Sequence, residues 1–223
     1  MKIKTVIIVS LIAVVYSSLM NLMNEFGALN NVSNVIKVGL EYEYGGIHTY
    51  TVDATWFTLH IPYYICYFIF FTVFVWRVKD FAPKWIGYTA FVFWVIAMLF
   101  KMADVFRVFY IVSNYSGEMI MPESLWDARN SMGKYVLFTL FDTDWYAMNR
   151  LAIFLLYVSL MVVFVFSLKK DKALGVTGIV AMVLCVFSLA YLPYAFVAWY
   201  AAWILLLSVS LWRVSVSTVN ILR

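Results

Sequence analysis

Six apolar stretches, each about long enough to cross a bilayer, divide this chain, and no other feature limits its fold so severely. A spanning helix needs about 20 predominantly apolar residues. The pattern predicts helices at about 3–23, 58–78, 85–112, 148–168, 174–191 and 194–213. The expected architecture is an all-α polytopic membrane protein, a single transmembrane domain over 1–223 with six helices in one bundle. That leaves no room for a soluble catalytic domain. Composition agrees: 65% of the 223 residues are hydrophobic, 20% aromatic and only 13% charged. Soluble domains run at about 45–50% apolar and about 25% charged. Soluble globular, disordered and nucleic-acid-binding classes are thereby excluded.

Two boundaries need argument. Lys2 and Lys4 precede the run Thr5–Tyr16, an arrangement that resembles a signal peptide. The apolar run continues through Leu22 and no A-x-A site follows it, so a retained first helix is expected. Between the last two helices lies only 190–194, with Pro193 as breaker. The apolar stretch 174–212 is about twice the length of one crossing, which favours a tight helical hairpin over a single kinked helix.

Charge placement predicts orientation. One face holds Lys2, Lys4, Arg77, Lys79, Lys84, Lys169, Lys170, Lys172, Arg213 and Arg223 against Asp80 and Asp171, a balance of +8. The other holds Glu25, Glu41, Glu43, Asp53, Glu118, Glu123, Asp127, Asp142 and Asp144 against Lys37, Arg129, Lys134 and Arg150, a balance of −5. Lys101, Asp104 and Arg107 in the third helix contribute the remaining +1 of the net +4. Lys and Arg stay cytoplasmic. Both termini are therefore expected in the cytoplasm and the two long loops, 24–57 and 114–147, outside it. Trp76, Trp85 and Trp212 fall at the inner boundary, and Trp56, Trp126 and Trp145 at the outer one, as interfacial belts do.

Connections are usually about 4–6 residues, so loops of this length are expected to carry structure. In the first, Ile36, Val38, Leu40, Tyr42 and Tyr44 share one parity and Lys37, Glu41 and Glu43 the other, ahead of Gly45-Gly46 and Ile47–Val52. Alternation around a Gly-Gly turn predicts a small extracytoplasmic β-hairpin. An isolated hairpin is marginal in water, so it should lie on the second loop, the membrane surface or a partner. In the second loop Ser124 followed by Asp127 marks a helix start. The mixed sequence after it, with Gly133 as a possible break, suits a helix lying at the interface. Asp53-Ala-Thr-Trp56 and Asp142-Thr-Asp-Trp145 each precede an inward-running helix, a faint trace of a two-helix repeat.

Chemistry-bearing residues are few. Lys101, Asp104 and Arg107 recur every third residue and share a helix face. Counted from Trp85, Lys101 lies about 24 Å and Arg107 about 33 Å along the helix, in the outer part of a core about 30 Å thick. Two readings follow: a polar outer vestibule completed by Asp53, His60, Asp142, Asp144 and Arg150, or a helix projecting past the bilayer with snorkelling bases. His48 and His60 are too few for a multi-haem protein and lack the spacing of metal ligands. Asp142-x-Asp144 suits helix capping better than paired-carboxylate catalysis. Ala198-x-x-x-Ala202 permits close helix approach, and Trp199 and Trp203 form a ridge that either lines a pocket or packs on the preceding helix. Cys66 and Cys185 sit in apolar runs and form no CxxC pair. No G-x-S-x-G, H-E-x-x-H or Gly-rich phosphate loop occurs, and no cofactor or metal is indicated.

Three function classes remain. The first, which these features favour, is a non-catalytic accessory, assembly or sensor component that binds a membrane protein partner through its outer loops. The second is a transporter or binding protein for a small solute, using the polar stripe of the third helix. The third is a lipid-acting enzyme, supported only by the outer acidic residues.

Overall fold

A computed structural model describes residues 2–28, 30–41, 47–121, 143–190 and 195–216. The elements run α1 Ile3–Glu25, β1 Val35–Glu41, β2 Ile47–Asp53, α2 Ala54–Phe81, α3 Lys84–Asn114, β3 Glu118–Met121, α4 Thr143–Ser167, α5 Lys172–Phe187 and α6 Ala195–Val216. Among the described residues, five helices are long and apolar enough to cross a membrane: α1, α2, α3, α6 and the stretch Met148–Ser167 of α4. α5 has 16 residues and is shorter. The chain is thus a largely helical protein of membrane type with a small sheet. Its residues form two compact units, one of Met1–Leu22, Pro62–Met98 and Asn149–Arg223, the other of Met23–Ile61 and Leu99–Met148.

The first unit is the helical one. Its core joins Phe71, Phe74, Trp94, Leu156, Phe164, Met182, Trp203 and Leu206. Two glycines set the spacing of α4 and α5. A Cβ on Gly178 would lie 2.1 Å from the Phe164 ring, and one on Gly175 2.7 Å from Leu168. Small residues let helix backbones approach closely where lipid supplies no hydrophobic drive. The turn between α2 and α3 closes the same way, since a Cβ on Gly87 would meet the Lys79 carbonyl at 2.2 Å. α5 ends at Phe187, earlier than the apolar run suggests, where a turn over 188–190 takes over. The Ser188 N–H still bonds back to the Leu184 carbonyl at 2.9 Å. α5 and α6 are therefore separate helices; Pro193 lies outside the described residues.

α2 is not uniform. Tyr67–Phe71 forms a π-helical turn, and Pro62 removes one N–H from the first half. The helix also starts at Ala54, four residues before the apolar pattern does, because the Asp53 carboxylate caps it. Asp53 Oδ1 accepts from the N–H of Thr55 at 2.9 Å and of Trp56 at 3.1 Å. That is the side-chain substitution for missing helical bonds that N-caps perform.

The second unit carries a three-stranded sheet of order β2-β1-β3. β1 and β2 are antiparallel from Val35 opposite Asp53 to Glu41 opposite Ile47. The Gly45-Gly46 turn that would join them lies outside the described residues. The third strand is a feature that sequence reading does not predict. β3 runs parallel to β1, from Lys37 beside Glu118 to Leu40 beside Met121, so the second loop supports the hairpin. Ile36 and Val52 are buried with Ala54 and with Ile111 of α3, forming a small core of their own. The interfacial helix expected after Ser124 and Asp127, with its break at Gly133, lies outside the described residues.

Candidate functional site

The polar stripe of α3 is an ion-pair ladder. Asp104 is met from one side by Lys101, Nζ to Oδ2 3.7 Å, and from the other by Arg107, which pairs with Oδ1. All three sit one helical turn apart, so α3 alone brings them together. Arg107 is buried, while Asp104 and Lys101 keep about a third or more of their side-chain surface. Asp104 thus offsets the charge of the buried guanidinium, the usual condition for tolerating a base among apolar neighbours.

His60, on α2 in the same unit, is also buried. Its Nδ1 lies 2.9 Å from the Trp56 carbonyl, which makes Nδ1 the protonated donor. The ring stacks on the Trp56 indole at 3.8 Å, and Lys101 is within electrostatic reach. Trp56 is thereby engaged in packing. Asp53 lies one turn before it. Partial burial would raise its pKa, but the Ser33 hydroxyl at 2.7 Å and the backbone N–H groups of Trp56, Asn34 and Thr55 outweigh that and hold it below the ordinary 3.8. Both Asp53 oxygens are committed to structure. Near the sheet, burial and the neighbouring Tyr110 push the Tyr115 phenol up to about 12, so it stays neutral.

The remaining expected site residues divide as follows. Lys101, Asp104, Arg107, Asp53 and His60 share the second unit, whereas Arg150 belongs to the first. There Arg150 Nη1 donates to the Leu189 carbonyl at 3.1 Å, capping the end of α5. Asp142 lies outside the described residues, and Asp144 falls in α4 at a position whose side chain is not described. Among the described residues, no three His, Cys, Asp or Glu side chains gather closely enough to hold a metal ion.

The first unit holds a second polar constellation that motif reading passes over. Trp199 Nε1 donates to the Tyr157 hydroxyl at 2.9 Å, and Trp94 Nε1 to Thr72 Oγ1 at 3.0 Å. The Tyr200 hydroxyl lies 2.8 Å from Ser17 Oγ and accepts from Asn21 Nδ2 at 2.6 Å, tying α6 to α1. Tyr67 and Phe71, in the π turn, stack around Trp94, Trp199 and Trp203 at centroid separations of 4.8–6.5 Å. The Trp199–Trp203 ridge is therefore packed: Trp203 is fully buried against Phe71 and Phe74, and its indole N–H has no hydrogen-bond partner among the described residues. A hint existed in the sequence, Tyr63 and Tyr67 four apart with Tyr157 and Tyr200 at similar depth, but tyrosines in an aromatic-rich span carry no motif.

At one end of this unit the basic turns meet. Lys79 pairs with Asp80 at 2.6 Å and lies over the rings of Trp76 and Tyr88, 4.0 and 4.7 Å from their centroids. Lys170 Nζ donates to the Asp80 carbonyl at 3.0 Å. Buried Asp171 caps α5 through the Leu174 N–H at 3.2 Å and accepts from Arg213 Nε at 2.5 Å. Trp76, Trp85 and Trp212 are well exposed here.

With the geometry in view, the chain falls in the class of helical membrane proteins bearing a small sheet between spans. Compared with known proteins, it matches no family model, no curated protein and no solved structure.

Proposed function

We propose that the protein is a non-catalytic integral membrane component that binds a partner membrane protein through the segments between its helices. In this reading α5 is a sixth, short span, both termini are cytoplasmic, and the sheet stands outside the cytoplasm. The convergence of Lys79, Lys170 and Arg213 at one end of the helical unit supports that orientation, because bases are retained on the cytoplasmic side.

The observation that carries the reading is the sheet unit itself. Two separate inter-helix segments are folded into one three-stranded sheet with its own buried residues, Ile36, Val52, Ala54 and Ile111. Ordering such segments costs conformational entropy that connection alone does not require. The solute-binding alternative rests on the α3 stripe, and there Asp104 is already engaged by both Lys101 and Arg107. The test is tagged purification in mild detergent, with mass spectrometry of what accompanies the protein. Deletion of 35–52 is expected to release a co-purifying membrane protein. Its unchanged retention overturns the reading.

A further inference from the structure

The residues of the helical unit include only two acids, Asp80 and Asp171, and both are taken. Asp80 pairs with Lys79 at 2.6 Å and Asp171 with Arg213 at 2.5 Å. Around them four lysines stay exposed. Lys84 opens α3, Lys169 and Lys170 lie in the turn between α4 and α5, and Lys172 opens α5. None of the four meets a carboxylate among the described residues. The turns that carry them are joined. Lys170 Nζ donates to the Asp80 carbonyl at 3.0 Å and lies 6.0 Å from the centroid of the Phe81 ring.

Helix stability does not account for this surplus. The N-terminal end of a helix carries partial positive charge, so a base in the first turn is opposed rather than favoured. Lys84 and Lys172 each stand first in their helices. Gathering like charges on joined turns adds repulsion among them. Retention on one side of a membrane asks for bases, but not for turns fixed against one another. A bound anion would reverse both unfavourable terms. Three tryptophans at the same end bear on its source: Trp76, Trp85 and Trp212 are 41, 73 and 52% exposed. Exposed indoles sit at headgroup level, which places these lysines at the depth of lipid phosphates.

We propose that Lys84, Lys169, Lys170 and Lys172 bind the phosphate of an anionic phospholipid headgroup, with the exposed Trp85 anchoring the site at headgroup depth. Basic groups between membrane helices at this level recognise such headgroups. Lysine suits the task, since its ammonium is a compact point charge that needs no fixed bidentate geometry. Exposed side chains do not enclose a free phosphate. A lipid headgroup needs no enclosure, because its own acyl chains hold it at this depth and keep its local concentration high. The site does not depend on the partner reading, whose test removes 35–52 and leaves these residues in place.

The purified full chain, in a mild neutral detergent at low salt, is to be offered phosphatidylglycerol or phosphatidylcholine with the same acyl chains. Native mass spectrometry is expected to show phosphatidylglycerol retained, and the Tm should rise with that lipid alone. Lys84→Gln, Lys169→Gln and Lys172→Gln should each weaken retention about fivefold, while Lys169→Arg should hold it. Lys37→Gln, an equal loss of charge in the sheet unit, should leave retention unchanged. In phosphatidylcholine the Gln variants should keep the Tm of the parent chain, because these lysines meet no carboxylate among the described residues. Glycerol phosphate, the soluble form of the same headgroup, should not raise the Tm at the concentration where the lipid does. Equal retention of the two lipids overturns the proposal. So does a preference that ignores the lysine substitutions or responds equally to Lys37→Gln, a lower Tm of the Gln variants in phosphatidylcholine, or equal stabilisation by glycerol phosphate.

Discussion

The two units differ in where they place their charges. Along the spans of the helical unit, neutral groups answer neutral groups, Trp199 with Tyr157, Trp94 with Thr72, and Tyr200 with Ser17 and Asn21, while its ion pairs, Arg213 with Asp171 and Lys79 with Asp80, stand at helix ends. In the sheet unit, full charges answer one another along α3, and a carboxylate caps α2. A neutral hydrogen bond asks little of its surroundings when both partners are present, whereas a buried charge demands an opposite charge close by. The contrast shows that polar content alone does not mark a site. In one unit it fastens helices, and in the other it lets a helix carry charge beside a folded sheet.

Substitutions can break the contrast, and the largest effect belongs to the helical unit. Trp203→Ala empties a fully buried position beside Phe71 and Phe74 and should cost about 3–5 kcal/mol, read as lost thermal stability in detergent. Asp104→Ala leaves the Arg107 guanidinium without its carboxylate. A cost of about 2 kcal/mol is expected, reduced from a fully buried case because Asp104 is partly exposed, and Asp104→Asn should recover only part of it. If Asp104→Ala matched Trp203→Ala, charge would outweigh packing as the organiser of the fold.

Asp53→Ala should cost about 1 kcal/mol through loss of the α2 cap. Because the folded pKa of Asp53 lies below its ordinary 3.8, its contribution is complete above that value and fades as pH falls further. Denaturation curves from pH 6 downward should therefore converge for Asp53→Asn and the parent chain only at the acid end. The smallest effect is Tyr157→Phe, which removes the acceptor of Trp199 while keeping the ring. About 0.6 kcal/mol is expected, the usual worth of a side-chain hydrogen bond between membrane helices. A loss several times larger would give the tyrosines a role beyond fastening.

Much of this arrangement could be read in advance, for reasons that differ from place to place. The spans are legible because a 20-residue apolar run has few other uses, and the ladder of α3 because Lys101, Asp104 and Arg107 are neighbours by helical geometry alone. Alternation over 35–44 likewise predicts strand β1. The third strand is not legible: EMIM is too short to show a period, and its partner lies two helices earlier. Nor is the partner of Arg150. Sequence reading gathers residues by expected depth, but Arg150 is held at the end of α5, a long-range choice that no local pattern encodes. The aromatic core escaped for a related cause. Its tyrosines and tryptophans come from α2, α3, α4 and α6, and only packing makes them one cluster.

The parallel pairing of β1 with β3 has a consequence for how the chain is made. β1 leaves the ribosome before α2 and α3, and β3 only after both. β1 and β2 can pair early, but β3 cannot join β1 until that helical pair has been made. With both helices as spans, a chain that inserted only one of them would leave β3 across the bilayer from β1 and β2, which pair without it.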